Sequence, residues 1–274
     1  MNIEKIKNYN QKLIAVLGTI IILFALVGLV SFIGVMVNEY KYMSYDDVET
    51  GILSDEKIEK LQKENKREQV ISYDAPKLID TINSIYIIPV SHRTLNEAED
   101  IKGLLNIYSS SEGEPIDNRY SNGIYGFYNN LIIYDNNTDS IKKLFDKRVN
   151  FNAIKVEHFT DDILIVIKVA VKDSHKDGVI NLLDLKKLYI YSLKEKRLRE
   201  ISNGNIDLFD YHFLNGSKNL ILQYGIDKNK DGQFNEYNEP TIIKKYNYET
   251  GIIEDIIPQK IDSELQMVLE GSKK

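Results

Sequence analysis

Hydrophobic and polar positions follow two different rhythms along this chain. Residues 13–37 read LIAVLGTIIILFALVGLVSFIGVMV, a run without one charged side chain, in which Thr19 and Ser31 carry the only hydroxyls. A helix rises about 1.5 Å per residue, so a run of this length crosses a hydrocarbon core of about 30 Å with some tilt. It has no polar face of the kind that a water-soluble core helix carries. A cleavable leader has an apolar region of roughly 7–15 residues and ends at a small-x-small site. This run is longer and exits through Val37-Asn38-Glu39-Tyr40, which predicts an uncleaved membrane anchor. Lys5, Lys7 and Lys12 precede it, and Glu39, Lys41, Asp46, Asp47 and Glu49 follow it. The lysine excess places residues 1–12 in the cytoplasm and the rest of the chain in the periplasm or outside the cell. Gly18, Gly28 and Gly34 do not form a GxxxG pairing motif.

After the anchor the pattern loosens. Residues 38–53 are polar and without a period, as in a linker. SDEKIEKLQKENKREQ at 54–69 predicts a short helix. Ser54 can cap it, and Asp55 and Glu56 suit the positive end of its dipole. Ile58 and Leu61 are its only apolar pair, too few for an oligomerising seam, so it reads as a solvated stalk. The linker and stalk together occupy 38–75.

From about residue 76 apolar side chains come in short runs punctuated by Asn, Gly, Asp and Ser. SIYIIPV at 84–90, NLIIYD at 130–135, DILIVIKVAVK at 162–172, KLYIYSL at 187–193 and NLILQYG at 219–225 are rich in Ile, Val and Tyr. That is strand chemistry, and it predicts a mainly β domain over 76–258. Two stretches have helical spacing instead: NEAEDIKGLLNIY at 96–108, and DSELQMVLE at 262–270 within a C-terminal tail of 259–274.

Aligning Tyr134, Tyr191 and Tyr246 exposes an internal repeat. IIYDNNTDSIKKLF, YIYSLKEKRLREI and KKYNYETGIIEDI each hold a strand, a polar turn and a second strand. Upstream of the later two, NAIKVEHFTDDILIVIKVAVKD is matched by DLFDYHFLNGSKNLILQYGID, so each unit supplies about four strands. Over about 76–258 this pattern resembles the blades of TolB-type and WD40-like periplasmic propellers. The WD dipeptide is missing, and the length leaves room for roughly four blades of about 45 residues. The resemblance implies a propeller-like fold of repeated four-stranded units behind a single transmembrane helix, with a rigid face suited to a protein or glycan partner. An incomplete propeller and a bent β-sandwich are the alternatives.

Composition narrows the chemistry. The net charge is −6 and no long basic run occurs, which argues against nucleic acid as a partner. Cysteine is absent, which excludes disulfides, thiolate metal sites and thiol nucleophiles.

Two acidic stretches hold the candidate chemistry. DSHKDGVINLLD begins at Asp173, and DKNKDGQFNEYNE begins at Asp227. Calcium loops of the EF-hand place oxygen ligands at positions 1, 3, 5, 7, 9 and 12, with Gly at 6. The first loop offers Asp173, His175, Asp177, the Val179 carbonyl, Asn181 and Asp184, with Gly178 at the turn. The second offers Asp227, Asn229, Asp231, the Gln233 carbonyl and Asn235, with Gly232 at the turn; its acid, Glu239, falls one position late. Ile180 and Phe234 stand at position 8. Both loops resemble EF-hand and dockerin-type calcium loops, which implies Ca²⁺ as a ligand. His175 suits a transition metal better than a hard cation. Strands precede both loops, so the pair is grafted between strands and does not form an EF-hand domain. The plain reading is that Asp, Asn and Gly make polar turns. The second loop carries the better donor set, and a weak extracellular-type affinity of about 10⁻⁴ M is expected there.

Catalysis has no positive sign. His92, His158, His175 and His212 are not at HExxH spacing, and no GxSxG, Walker or GxGxxG motif occurs. His158 and His212, each followed by Phe, hold matching repeat positions and read as structural. His92 with Arg93 follows a strand and reads as a polar strand end. The expected function is a membrane-anchored extracytoplasmic interaction or scaffold module of an envelope complex, stabilised by calcium. A propeller-based hydrolase and a calcium-responsive membrane sensor are the alternatives.

Overall fold

The computed structural model describes residues 51–101 and 123–271, together with scattered positions from Lys12 to Phe32. The chain divides into two compact units, Met1–Glu49 and Thr50–Lys274. In the first, every described position is helical, and all but Gly18 are exposed. Among the described residues, no helix is long and apolar enough to cross a membrane.

The second unit is mainly antiparallel β. It opens with β1 (Ile52–Leu53) and a short helix α1 (Asp55–Lys63). A first sheet follows, made of β2 (Lys66–Tyr73), β3 (Lys77–Asp80), β4 (Ile85–Asp100), β6 (Asn130–Asp135) and β7 (Ser140–Lys143). The second sheet has the order β12-β11-β9-β8-β5. Its strands are β5 (Gly123–Tyr128), β8 (Phe151–His158), β9 (Ile163–Ala170), β11 (Lys186–Ser192) and β12 (Arg197–Ile201). The third is a meander of β13 (Asp207–Phe213), β14 (Leu220–Gly225), β15 (Thr241–Tyr246) and β16 (Ile253–Asp255). A two-residue strand β10 (Val179–Ile180) pairs with β1, and helix α2 (Gln259–Leu269) ends the described chain.

Strand β9 explains the layering. Its residues ILIVIKVA are almost wholly buried, because both of its faces meet another sheet. Ile165, Ile167 and Val169 join Ile87, Leu131 and Ile133 of the first sheet in one core. Leu164 and Val166 turn the other way and meet Leu220, Leu222 and Tyr224 of the third sheet in a second core. Strand β11 divides in the same manner, with Tyr189 and Tyr191 in the first core and Leu188 and Ile190 in the second. The period of two along each strand thus serves two cores at once.

The tyrosine repeat has a fixed structural meaning. Tyr134, Tyr191 and Tyr246 lie on β6, β11 and β15, each the last strand but one of its sheet in chain order, opposite Ile141, Leu198 and Ile253. The two acidic loops lead into the later two of these strands, from β9 to β11 and from β14 to β15.

Three stretches differ from expectation. Residues 96–100 continue β4 and are not helical: the backbone ladder to β2 captures them, with Lys66 opposite Asp100. Residues 102–108 of that expected helix lie outside the described residues. The helix expected over 54–69 stops at Lys63. Asn65 then takes a left-handed conformation at φ 56°, and 66–69 join the first sheet. Ser54 caps α1 as expected, its hydroxyl accepting from the Lys57 amide at 3.5 Å. The stretch read as a stalk is also stitched into the fold. The Gln69 side chain donates to the Gly51 carbonyl and accepts from the Leu53 amide, at 2.9 and 3.1 Å.

Truncating Ile165 or Ile190 to Ala should each cost about 2–5 kcal/mol, because each leaves a cavity between two packed sheets. Ile243→Ala, on the outward face of the third sheet, should cost under about 0.5 kcal/mol. Denaturant unfolding of the three variants reads the difference; three equal losses would contradict the layering.

Candidate functional site

The two acidic loops fold as copies of each other. In both, the fourth residue is left-handed, Lys176 at φ 62° and Lys230 at φ 63°. In both, the sixth is a glycine in a conformation that other residues avoid, Gly178 at φ 93° and Gly232 at φ 88°. The first aspartate holds the turn shut: Asp173 accepts from the Asp177 and Gly178 amides at 3.2 and 2.9 Å. Asp227 accepts from the Lys230 and Gly232 amides at 2.6 and 2.9 Å. At position 5, Asp177 and Asp231 accept from the amides of Val179 and Gln233 at 2.9 and 3.0 Å.

The closing acids also match, although the sequence offsets them by one. Asp184 accepts from the amides of Ser174, His175 and Asn181 at 2.6, 3.0 and 2.9 Å. Glu239 accepts from the amides of Lys228, Asn229 and Asn235 at 2.7, 3.2 and 2.9 Å. Those are positions 2, 3 and 9 of each loop. The extra residue of the second loop is absorbed in its turn at 236–238, and the longer Glu side chain reaches back.

The loops touch. The Ser174 hydroxyl donates to the Gly232 carbonyl at 2.6 Å. His175 Nδ1 lies 3.1 Å from the Asp231 carbonyl, and the Gln233 amide nitrogen lies 2.8 and 2.9 Å from His175 Nδ1 and Nε2. This contact gives His175 a reason to stand where a calcium loop has an oxygen ligand: it binds the neighbouring loop. A Cβ on Gly232 would sit 1.9 Å from the Ser174 carbonyl oxygen, so the sixth position of the second loop must be glycine for packing as well as for φ. Phe234 at position 8 lies edge-on to Phe209, ring centroids 5.4 Å apart, while Ile180 is buried with Ile52 and Ala170.

Burial separates the loops. An ionised carboxylate offers about four lone-pair sites. Asp184 receives two bonds on Oδ1, from the Ser174 and His175 amides, and one on Oδ2, from the Asn181 amide. It is also buried, and burial pushes its carboxyl above the ordinary range, against the amide bonds that lower it. Asp184 is therefore a buried internal staple. Asp231 is exposed, Asp227 and Glu239 are half-buried, and all three keep acceptor capacity. The Gln233 amide holds the Asp231 carboxyl below its ordinary value, and the Asn235 amide does the same for Glu239. Asp173, Asp177 and Asn181 keep capacity in the first loop, and Asn181 also donates to Asp177 at 3.2 Å. The side chains now face backbone amides, and among the described residues no group of three or more His, Asp or Glu is placed to hold one metal ion.

The other histidines lie apart. His158 Nε2 lies 3.0 Å from the Ile79 carbonyl and ties the second sheet to the first. His212 is exposed beside Asp210 at 3.0 Å. The repeat gives them matching sequence positions but different contacts, while their neighbours Phe159 and Phe213 meet edge-on at 5.4 Å. His92 sits in an apolar cleft on the outward face of the first sheet, where desolvation lowers its pKa.

No protein-family model matches the chain, and no curated protein matches it.

Asp184→Asn puts a donor where amides already point, and should cost about 2–3 kcal/mol, a fall in Tm of roughly 4–12 °C. Glu239→Gln, at the exposed loop, should change stability by under about 1 kcal/mol. The sign of the pH effect follows from the lowered carboxyls. What Asp231 and Glu239 contribute is present above ordinary carboxylate values of about 4 and lost as pH falls through their lower folded values. Thermal melts between pH 7 and pH 3 should therefore show a shallower acid-side loss in Asp231→Asn with Glu239→Gln than in the parent chain.

Proposed function

We propose that this chain is a single-pass membrane protein whose exported part is a propeller-like β module for interaction or scaffolding, with a calcium ion pinning its second acidic loop. The observation that carries this reading is the pair of twin loops, set between equivalent strands of adjacent stacked sheets. The charge-free run at 13–37, with lysines before it, supports the anchor and its orientation. Antiparallel sheets of five, five and four strands, stacked face to face, support the propeller class, and a rigid stack with loops at its ends suits a protein or glycan partner.

The residues fit calcium at the second loop. Asp227, Asn229, Asp231 and Glu239 are hard oxygen donors, and each carboxylate can keep its amide bonds while turning a spare lone pair to the ion. The ion would supply charge neutralisation for three acids on one exposed loop. At the first loop Asp173, Asp177, Asn181 and the Val179 carbonyl remain donors, but Asp184 is buried.

One observation favours a sensor as the second reading. Val179 and Ile180, positions 7 and 8 of the first loop, form β10 and pair with Leu53 and Ile52. The loop is thus hydrogen-bonded to the segment by which the chain enters the domain. A calcium effect on that segment requires different affinities in two states of this pairing.

With Kd near 10⁻⁴ M, Ca²⁺ at about 10 mM should stabilise the domain by about 2.7 kcal/mol. Titration calorimetry and melting of the parent chain and of Asp227→Asn read this. No heat and no Tm shift up to several millimolar Ca²⁺ removes the calcium reading. For the anchor, extraction of the chain from membranes by alkaline carbonate would remove the membrane reading.

A further inference from the structure

The segment that leads into the domain, Gly51 to Lys63, is fastened differently from the sheets. β1 and β10 form a two-stranded sheet of their own, two residues long, with β10 lying within the first acidic loop. An isolated pair of that size is marginal in water. Ile52, Leu53 and Ser54 are buried, but no residue of α1 is. Beyond α1 the chain turns at Asn65, left-handed at φ 56°, and enters β2. The segment is thus a strap, joined to the first sheet at one end and resting on the first loop at the other. Few buried apolar contacts and a short ladder mark a part that opens locally.

We infer that the strap is a two-position device: it docks on the first acidic loop and releases from it as one cooperative unit with that loop, while the sheets stay folded. It supplies the two states that the sensor reading needs, and it stands without calcium. One peptide group links the partners. The Gly178 amide donates to Asp173 at 2.9 Å, and the Gly178 carbonyl accepts from the Ser54 amide at 3.0 Å. The turn that Asp173 holds shut is therefore the turn that presents an acceptor to the strap. The two backbones also meet closely at a glycine from each side. A Cβ on Gly178 would lie 3.0 Å from Lys57 Cε, and a Cβ on Gly51 would lie 3.1 Å from the Cβ atoms of Val179 and Asn181. A fit this close transmits a change of loop shape to the strap.

The other fastenings are polar. Gln69 brackets Gly51 and Leu53 with its two bonds. Arg148 donates to the Leu53 and Ser54 carbonyls at 2.9 and 3.3 Å and pairs with Asp55. Gln69 and Arg148 are half-buried, so water takes over these bonds when the strap leaves. What release gives up is the burial of Ile52 and Leu53, far less than opening a sheet that shares a core with its neighbours. Leu53 and Ile58 also line the cleft of the first sheet with Val70, Val90 and Ile132, so release widens that cleft. Coupling is reciprocal: what loosens the loop loosens the strap by the same factor, and the reverse.

Hydrogen exchange of the full-length chain in detergent, with a calcium chelator present, reads the device. Amides at 52–58 and 177–181 should share one opening equilibrium and exchange on the order of a hundredfold faster than those of β9. Leu53 and Val179 are partners across the antiparallel pair, at a spacing that a disulfide bridges. The parent chain contains no cysteine, so in Leu53→Cys with Val179→Cys a reductant acts on that bond alone. The oxidised chain should protect 52–58 and 177–181 about tenfold more than the reduced one, with β9 unchanged. Gly51→Val crowds the contact from the strap side and should speed exchange at 177–181 as much as at 52–58. A strap as protected as β9 overturns the inference, and so does equal exchange in the oxidised and reduced chains. Loop amides that stay slow while Gly51→Val frees the strap overturn it too. Should Gly51→Val disturb β9, the comparison of oxidised and reduced chains decides.

Discussion

Burial of one sheet on both faces is the constraint from which the rest of this domain follows. A strand that serves two cores must be apolar almost throughout, and β9 with ILIVIKVA meets that demand at all but Lys168, whose ammonium donates to the Phe209 carbonyl at 2.9 Å. Its neighbour β11 does so with Leu188 and Ile190 on one side and Tyr189 and Tyr191 on the other. Tyrosine there needs somewhere to put its hydroxyl. Tyr189 finds Lys147 at 2.6 Å and a short bond to Glu200. Lys187 also binds Glu200 at 2.5 Å. Burial alone would raise the Glu200 carboxyl; Lys187, Tyr189 and Lys147 outweigh it and bring it to about 2. The apolar layer thus carries its polar ends to a ring of charge at its margin.

Stacking also sets the meeting of the acidic loops. Equivalent strands of adjacent sheets lie about 10 Å apart, so long connections between them arrive side by side. The Ser174–Gly232 and His175–Asp231 contacts are therefore consequences of the repeat combined with layering. Beneath them, Lys186 closes the seam. Its amide and ammonium both reach Asp207 at the start of β13, at 2.6 and 3.1 Å, and its ammonium also donates to the Leu182 and Asp184 carbonyls. The end of the first loop is bound to the third sheet through one buried carboxylate.

Strands were legible where the chain is apolar on a period of two or in a continuous run, and NLIIYD at 130–135 became β6 without a shift. The repeat was legible because the last strand but one of each sheet carries tyrosine at a paired position. What stayed hidden depended on partners far away in sequence. Residues 96–100 have helical spacing, but the ladder with β2 decides their conformation. Helix α1 was legible from its cap. That 51–53 and 66–73 belong to the domain was not, because the evidence lies in pairing with 85–100 and with Val179–Ile180. The loop residues were legible as a spacing. The role of His175 was not, since its partners Asp231 and Gln233 stand more than fifty residues away.

The two closing acids show how a duplicated loop can divide its work. Each inherits the task of holding the amides at positions 2, 3 and 9, and that task alone needs three acceptor sites. Beside Asp184, the Ser174 hydroxyl accepts from the Leu185 amide at 2.8 Å and donates to the Gly232 carbonyl. That chain of bonds fixes the loop to the start of β11 and is sealed from water. Such an acid is worth most as structure, because withdrawing it toward an ion would strand several buried donors at about 1–3 kcal/mol each. Glu239 holds the equivalent three amides in a half-buried position, and water can take over any amide it releases. An ion at the second loop is therefore opposed by far less than one at the first, although the two backbones follow the same path. The amides held by the closing acid are the same in both loops; burial of that acid is what distinguishes them.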